Sequence, residues 1–351
     1  MSKTKLLIGI VIFLVIGDVT WADGLLCNRW PIFRRARFCR ISRCTTRPGT
    51  PLYRWPGEHD DSVWLRWKFE IGRPIYQEMT TETKQDMQVM GQKISQLQKV
   101  TFFLSWNPVE EKDGNWIVKQ KIEGLKMDIE IAGNKIPYDS NKEGGSTNAL
   151  SDFFKALVGS EFTLTIDKNM RITKIEGRDE FLKKLIKENQ QLAPLLQTIL
   201  SDEALKQMSD PAFAVIPDKP VKKGDTWERK ATLNMGPIGT FDTIYKYTYE
   251  GPDENKLHKI KVETSLKFQP PGPNAGGNLP FKIMKADLNS KDSNGTILFD
   301  TNKGRVASSN TTMKLSGTMT IEIGGTASEE TMDQTQTTTV RTSDENPIGK
   351  K

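Results

Sequence analysis

The sequence predicts an α+β fold that is mainly β, with one large curved antiparallel sheet and a few central helices packed on one face of it. Three observations support this fold class. Long segments alternate apolar and polar residues with a period of two, turns containing Gly and Asp separate them, and helical spacing is confined to the middle of the chain. Period-two alternation is typical of antiparallel strands with one buried face and one face in water.

The alternating segments run from Val63 to the C-terminal region. Their apolar positions are Val63, Leu65, Trp67, Phe69 and Ile71; Val100, Phe102, Leu104 and Trp106; Phe162, Leu164 and Ile166; Phe241, Tyr245, Tyr247 and Tyr249; Ile260, Val262, Leu266 and Phe268; and Met313, Leu315, Met319, Ile321 and Ile323. Between residues 116 and 131 the apolar parity switches near Gly124, which predicts a β-bulge. The Thr-rich segment from Gly324 to Val340 is predicted to form a last strand at the edge of the sheet.

Helical patterns lie between the two groups of strands. A short helix is predicted to end at Gly159, and a longer one is predicted to begin near Arg178. Pro194 should interrupt it before a second piece, and Ser201 or Asp202 should cap a final turn. The apolar stripes of these helices are predicted to cover the buried face of the sheet.

The domain organisation follows from these patterns. We predict a signal peptide over 1–22, an Arg/Pro-rich leader or linker over 23–62, a single β-rich domain over 63–341 and a disordered tail over 342–351. Loose similarities between the strand–turn–strand patterns of the two halves suggest an internal duplication. The two repeats would be 63–177 and 220–341, with the helical segment 178–210 between them.

The first 22 residues have the layout of a secretory signal peptide. A cationic start, an apolar run over 6–17 and the small-residue site Thr20-Trp21-Ala22 predict cleavage after Ala22. The run is shorter than the ~20 residues that a spanning helix needs. The expected location is therefore extracytoplasmic: the periplasm, the cell envelope or the medium.

The positive charge of the chain is concentrated near its N-terminus. The net charge is +6, but eight arginines and no acidic residue lie between Cys27 and Arg54, so the rest of the chain is close to neutral. A nucleic-acid-binding protein would carry such charge on its folded surface, so this function is excluded. The candidate contacts with an anionic envelope surface are Arg34, Arg35, Arg37 and Arg40; a solvated linker is the alternative.

Four motifs stand out along the body of the chain: Leu65-Arg66-Trp67-Lys68-Phe69, the Thr/Gln/Met-rich strand from Met79 to Gly91, Ala156-Leu157-Val158-Gly159 with Phe162-Thr163-Leu164, and Lys223-Gly224-Asp225-Thr226-Trp227. Together they resemble an uncharacterised exported family, a domain of unknown function seen mainly in planctomycete-type bacteria. The resemblance covers about residues 64–341. It implies an extracytoplasmic location and supplies no catalytic residues.

No motif of the body indicates catalysis. The two histidines, His59 and His258, stand about 200 positions apart, and all three cysteines, Cys27, Cys39 and Cys44, lie in the leader. Asp167 and Asp300 end strands and are expected to cap their own turns. The segment 287–295 resembles a calcium loop but has a lysine at the fifth position, so a turn is predicted instead. The sequence therefore predicts no enzyme, no metal site and no cofactor.

Two functions remain. The first is a non-enzymatic binding or carrier protein of the bacterial envelope that shelters a lipid or other apolar ligand. Its candidate lining residues are Trp106, Tyr247, Phe268, Phe153 and Phe154, although buried aromatic residues also form ordinary sealed cores. The alternative is a structural or interaction protein of the cell envelope with no small-molecule ligand, attached through the Arg-rich leader.

Overall fold

The computed structural model describes residues 61–89, 91–131, 133–142, 149–188, 190, 193–209, 213, 215–272 and 282–348. The signal peptide, the arginines and cysteines of the leader, and His59 lie outside this part of the chain. The strands are β1 (Ile75–Val89), β2 (Gln92–Lys112), β3 (Asn115–Ile131), β4 (Asn134–Asp139), β5 (Glu161–Ile166), β6 (Ile172–Glu176), β7 (Thr226–Asn234), β8 (Thr240–Pro252), β9 (His258–Gln269), β10 (Lys282–Asp300), β11 (Arg305–Ile323) and β12 (Thr326–Ser343).

Four α-helices occur within the described residues, all between β4 and β7. They are α1 (Ala149–Leu157), α2 (Arg178–Glu188), α3 (Ala193–Ile199) and α4 (Asp202–Ser209). Pro194 lies in the first turn of α3, where its missing N–H costs nothing. The backbone N–H of Ala204 donates to Ser201 Oγ at 3.2 Å, so Ser201 caps α4. Helices thus occur where the sequence predicts them, but Pro194 does not mark the break between α2 and α3: α2 already ends at Glu188, and Pro194 belongs to α3.

All twelve strands belong to one antiparallel sheet, in the order β6-β5-β3-β2-β1-β12-β11-β10-β9-β8-β7, with β4 attached to β3. The chain begins at the centre with β1, runs outward as a meander to β6, crosses through the helices to β7 and returns inward to β12. The predicted fold class, a mainly β chain with a large curved antiparallel sheet and few helices, is confirmed.

The curvature of the sheet brings its two ends to the same helix. Helix α4 contacts both β6 and β7, the first and last strands of the sheet order. Apolar side chains of α2, α3 and α4 lie in the same buried cluster as residues of β2, β3, β5, β8 and β9; those of the helices are Phe181, Leu182, Leu185, Leu196 and Leu205. We call the face that they cover the inner face.

The segment that precedes β1 is an integral part of the core. Leu65, Trp67 and Phe69 are buried, whereas Trp64 is exposed. Val63 exchanges two 2.9 Å backbone hydrogen bonds with Val221, and the N–H of Lys68 donates to the carbonyl oxygen of Gly304 at 2.8 Å. This extended segment therefore joins residues from both halves of the chain.

Two predictions about strands β10 and β12 were wrong. The strand after Gly324, β12, is not an edge strand, because it pairs with β11 on one side and with β1 on the other. Its uncharged residues of one parity, such as Gln334 and Gln336, are buried, which suits a central position. The segment 287–295 lies within β10 rather than in a turn; Asp292 lies at a register shift between Lys291 and Asn294.

Other local predictions are confirmed. The register of β2 with β3 shifts opposite Gly124, as expected for a β-bulge. Asp167 Oδ1 accepts from the backbone N–H groups of Asn169 and Arg171, at 2.8 and 2.9 Å, so it caps its own turn. Asp300 does the same in the turn before β11.

The two halves of the chain form adjacent blocks of the sheet. Their origin by duplication stays a prediction.

Candidate functional site

The inner face of the sheet carries three separate buried clusters. The aromatic cluster includes Leu65, Trp67, Phe69, Trp106, Phe213, Tyr247 and Phe299. The methionine cluster includes Met235, Phe268, Met313, Leu315, Met319 and Met332. The α1 cluster consists of Val100, Leu125, Met127, Ile129, Ile131, Tyr138 and Phe154.

Polar side chains separate the methionine cluster from the α1 cluster. Strands β2, β1 and β12 lie side by side. Polar residues that face one another across these three strands form two rows on the inner face. These glutamine rows are Gln96–Gln85–Gln334 and Gln98–Thr83–Gln336. All six side chains are at most 3% exposed. Amide side chains are seldom buried to this extent, so the rows are the most unusual feature of the inner face.

The register joins the glutamine rows to an apolar cluster on each side. Ile131 and Ile129 of the α1 cluster are the β3 partners of Gln96 and Gln98. Leu315 and Met313 of the methionine cluster are the β11 partners of Gln334 and Gln336. The inner face therefore presents a polar stripe three strands wide, about 10 Å at ordinary strand spacing, between two apolar surfaces.

The hydrogen bonds within the stripe are incomplete. Gln85 Nε2 donates to Met332 Sδ at 3.0 Å, which links the glutamine rows to the methionine cluster. Both amide atoms of Gln98, Nε2 of Gln96, Oε1 of Gln85 and Oγ1 of Thr83 have no hydrogen-bond partner in the described structure.

Leaving such groups unpaired is costly. A buried neutral polar group without a partner destabilises a fold by about 1–3 kcal/mol. Apolar side chains of similar size would avoid that cost, so stability alone does not account for glutamine at these positions.

The stripe is also electrically neutral. Among the described residues, only Arg305 and Glu330 are both buried and charged. Arg305 is paired with Asp344 at 2.7 Å, and Glu330 accepts a hydrogen bond from Ser328. No lysine or arginine therefore belongs to the glutamine rows, which lack the cations that would attract a phosphate or carboxylate.

The predicted lining residues do not form one pocket. Trp106 and Tyr247 lie in the aromatic cluster, and Phe268 lies in the methionine cluster against Phe241 at a ring distance of 4.8 Å. Phe154 belongs to the α1 cluster, and Phe153 packs against both that cluster and the aromatic cluster. Arg34, Arg35, Arg37 and Arg40 lie outside the described residues.

The remaining candidate, His258, is held at the rim of the sheet. Its Nδ1 lies 2.6 Å from the hydroxyl oxygen of Tyr249. Burial lowers the pKa of His258, against the opposing effect of Asp300 and Asp253, and burial raises the pKa of Tyr249. Within the described part of the chain, no three His, Cys, Asp or Glu side chains are placed to hold a metal ion.

Sequence reasoning missed the glutamine rows, although a signal for them exists. In β1, uncharged Thr81, Thr83 and Gln85 alternate with Glu82 and Lys84. Alternation between neutral polar and charged residues distinguishes the two faces of a strand, just as alternation between apolar and polar residues does.

Comparison with solved structures gives distant similarities. A structure of lipid–protein interactions in lipovitellin is 12% identical, with a TM-score of 0.39, and the match covers 81% of this chain and 26% of the lipovitellin chain. This chain thus spans about a quarter of that protein's length. An outer membrane channel from Pseudomonas putida F1 is 8% identical, with a TM-score of 0.22 and coverage of 81% and 98%.

A third structure, DynF from the dynemicin biosynthesis pathway of Micromonospora chersina, is 9% identical, with a TM-score of 0.18 and coverage of 83% and 92%. All three TM-scores are low, and none of these similarities bears on function. Of the described helices, none has the length and apolar character needed to cross a membrane.

Comparison by sequence identifies a family. No curated protein matches the chain. A family of unknown function, DUF6263, matches residues 113–306, which is more than half of the chain. The occurrence of the family in planctomycete-type bacteria and the export of this protein stay predictions. The match extends from the turn before β3 to the start of β11, and it shows that this chain belongs to the DUF6263 family.

Proposed function

We propose that the protein is a non-enzymatic binding or carrier protein of the bacterial envelope that shelters a lipid-like apolar ligand against the inner face of its sheet. The observation that carries this proposal is the methionine cluster. Met235, Met313, Met319 and Met332 are buried there, and Met87 packs against them. Unbranched, polarisable methionine side chains repack readily, and they are common on surfaces that accept apolar ligands of variable shape.

The arrangement of the clusters supports a ligand site near this cluster rather than in the aromatic cluster. Phe213 packs edge-on against Trp67 and Trp106, each with a ring distance of 5.2 Å, so rigid aromatic rings fill the aromatic cluster and leave it less able to repack than the methionine cluster. Phe268 is then the one predicted lining residue that lies beside the ligand.

Native mass spectrometry of the full chain purified from a bacterial host, followed by organic extraction, tests the proposal. A reproducible co-purifying lipid-sized mass is expected. Met319→Gln, which places an amide in the methionine cluster, should reduce its amount. Met284→Gln is the matched control, because Met284 is exposed. A protein that contains no such mass and takes up neither oleate nor phospholipid would contradict the proposal.

The extracytoplasmic location is also part of the proposal. The signal-peptide pattern of residues 1–22 supports it. Cell fractionation with N-terminal sequencing should find a mature chain outside the cytoplasm that begins at Asp23. An intact N-terminus on a cytoplasmic protein would contradict this.

The alternative, an envelope interaction protein without a ligand, is tested separately. Deletion of residues 23–54 removes the Arg-rich segment and leaves the body intact in sequence. Loss of envelope association, together with organic extraction that yields no lipid from the purified protein, would favour the alternative. Retained association would argue against it.

A further inference from the structure

We propose that the glutamine rows bind the uncharged, hydroxyl-bearing head group of an amphipathic ligand whose apolar chain lies against the methionine cluster. This inference rests on the proposed function and specifies the chemical class of the ligand.

The unpaired amide groups carry the argument. Gln98 is 3% exposed and has no hydrogen-bond partner for either amide atom, and Gln96 Nε2, Gln85 Oε1 and Thr83 Oγ1 are also unpaired. Together these atoms are two carbonyl acceptors, two amide donors and one hydroxyl that both donates and accepts. A group with several hydroxyls satisfies such a mixed set, because each hydroxyl both donates and accepts.

The charge of the stripe selects against anionic head groups. The glutamine rows contain no charged residue, and Arg305, the buried cation among the described residues, already binds Asp344. A buried phosphate or carboxylate would have no cation to offset its desolvation, whereas a glycerol or sugar head group would need only hydrogen bonds.

The adjacency of polar and apolar groups fits an amphipathic molecule. Gln85 contacts Met332 directly, and Leu315 and Met313 continue the rows from Gln334 and Gln336 into the methionine cluster. The width of about 10 Å suits a head group of a few hydroxyls and leaves the apolar surface for the chain.

Two oleoyl probes that differ in their hydroxyls test the inference on the full chain. Monooleoylglycerol has two free hydroxyls, and methyl oleate has none. We expect the wild-type protein to bind monooleoylglycerol about tenfold more tightly, as one or two neutral hydrogen bonds would give. Oleate, which has the same chain and a carboxylate, should bind more weakly than monooleoylglycerol.

Substitution of glutamines in the rows should remove the preference for monooleoylglycerol over methyl oleate. Gln98→Met keeps the length of the side chain and removes the amide, so it should weaken monooleoylglycerol binding about three- to tenfold and leave methyl oleate unchanged. Gln96→Met is the second variant. Gln88→Met is the matched control, because Gln88 lies on the same sheet but is exposed.

A stability measurement separates ligand binding from a structural role. Because the Gln98 amide is unpaired, Gln98→Met should raise the thermal midpoint of the ligand-free protein while it weakens monooleoylglycerol binding. A lowered midpoint with unchanged binding would mean that the amides are held by ordered water within the protein, and would overturn the inference. Equal binding of both neutral probes by every variant would also overturn it, while leaving the proposed function in place. Failure of all oleoyl probes to bind would overturn both.

Discussion

The indole Nε1 of Trp106 donates a 2.8 Å hydrogen bond to Oε1 of Gln77, and both side chains are buried. Gln77→Met should therefore leave the indole N–H unpaired and lower the free energy of unfolding by about 1–3 kcal/mol. Denaturant unfolding of the variant measures this. In a Trp106→Phe background the same change should cost about 1 kcal/mol less, because the donor is already gone. Equal costs in both backgrounds would show that the bond contributes nothing.

The segment before β1 offers a comparison between neighbouring residues. Leu65 is fully buried, and Trp64 is 44% exposed. Leu65→Ala should destabilise the protein by about 2–5 kcal/mol, because it leaves a cavity in the aromatic cluster. Trp64→Ala should change the stability by less than about 0.5 kcal/mol. Similar losses for the two variants, measured by urea unfolding, would contradict the role of this segment in the core.

His258 should make stability depend on pH. Burial lowers its pKa in the folded protein, so the unfolded chain binds the proton more readily. Its contribution to stability is present above the unfolded pKa of about 6.5 and is lost as the pH falls toward the lowered folded value. Thermal midpoints measured from pH 8 to pH 5.5 should therefore fall more steeply for the wild type than for His258→Gln. Parallel curves would exclude this effect; His59, present in both proteins, cancels from the comparison.

The buried Arg305 depends on an exposed partner. Asp344 accepts hydrogen bonds from Lys303 and Arg305, and these lower its pKa. Asp344→Asn should cost about 1–2 kcal/mol, a value reduced because the carboxylate is largely exposed. The control is Glu82→Gln, which removes the exposed ion pair with Lys99 and should cost less than about 0.5 kcal/mol. Equal costs would indicate that the burial of Arg305 adds nothing to the interaction.

The strands and helices could be predicted because their patterns are local. Alternation along β2, β8 and β9, the parity switch at Gly124 and the caps of the helices each depend on a few neighbouring residues. The positions of the strands relative to one another could not be predicted in this way. Nothing within Thr326–Ser343 indicates that its partner is a strand about 250 residues earlier, so its local pattern predicts an edge strand where the structure has a central one.

The candidate site was predictable only in part. Period-two alternation identified Trp106, Tyr247 and Phe268 as inward-facing, but it does not give the cross-strand register that distributes them among separate clusters. The glutamine rows depend on that register as well, because Gln85 meets Gln96 and Gln334 only when three strands are aligned.

The pairing of β1 with β12 also determines when the sheet can be completed. Tyr76 is the partner of Ser343, so β1 waits for a strand that is synthesised about 250 residues later. Until β12 has been made, β1 and β11 each present an unpaired edge, and such edges are templates for association between chains. A chain truncated before Thr326 would keep both edges permanently. Because β1 is synthesised long before β12, the centre of the sheet is the last part of the sheet to assemble, and protection of the nascent chain matters most until β12 has been made.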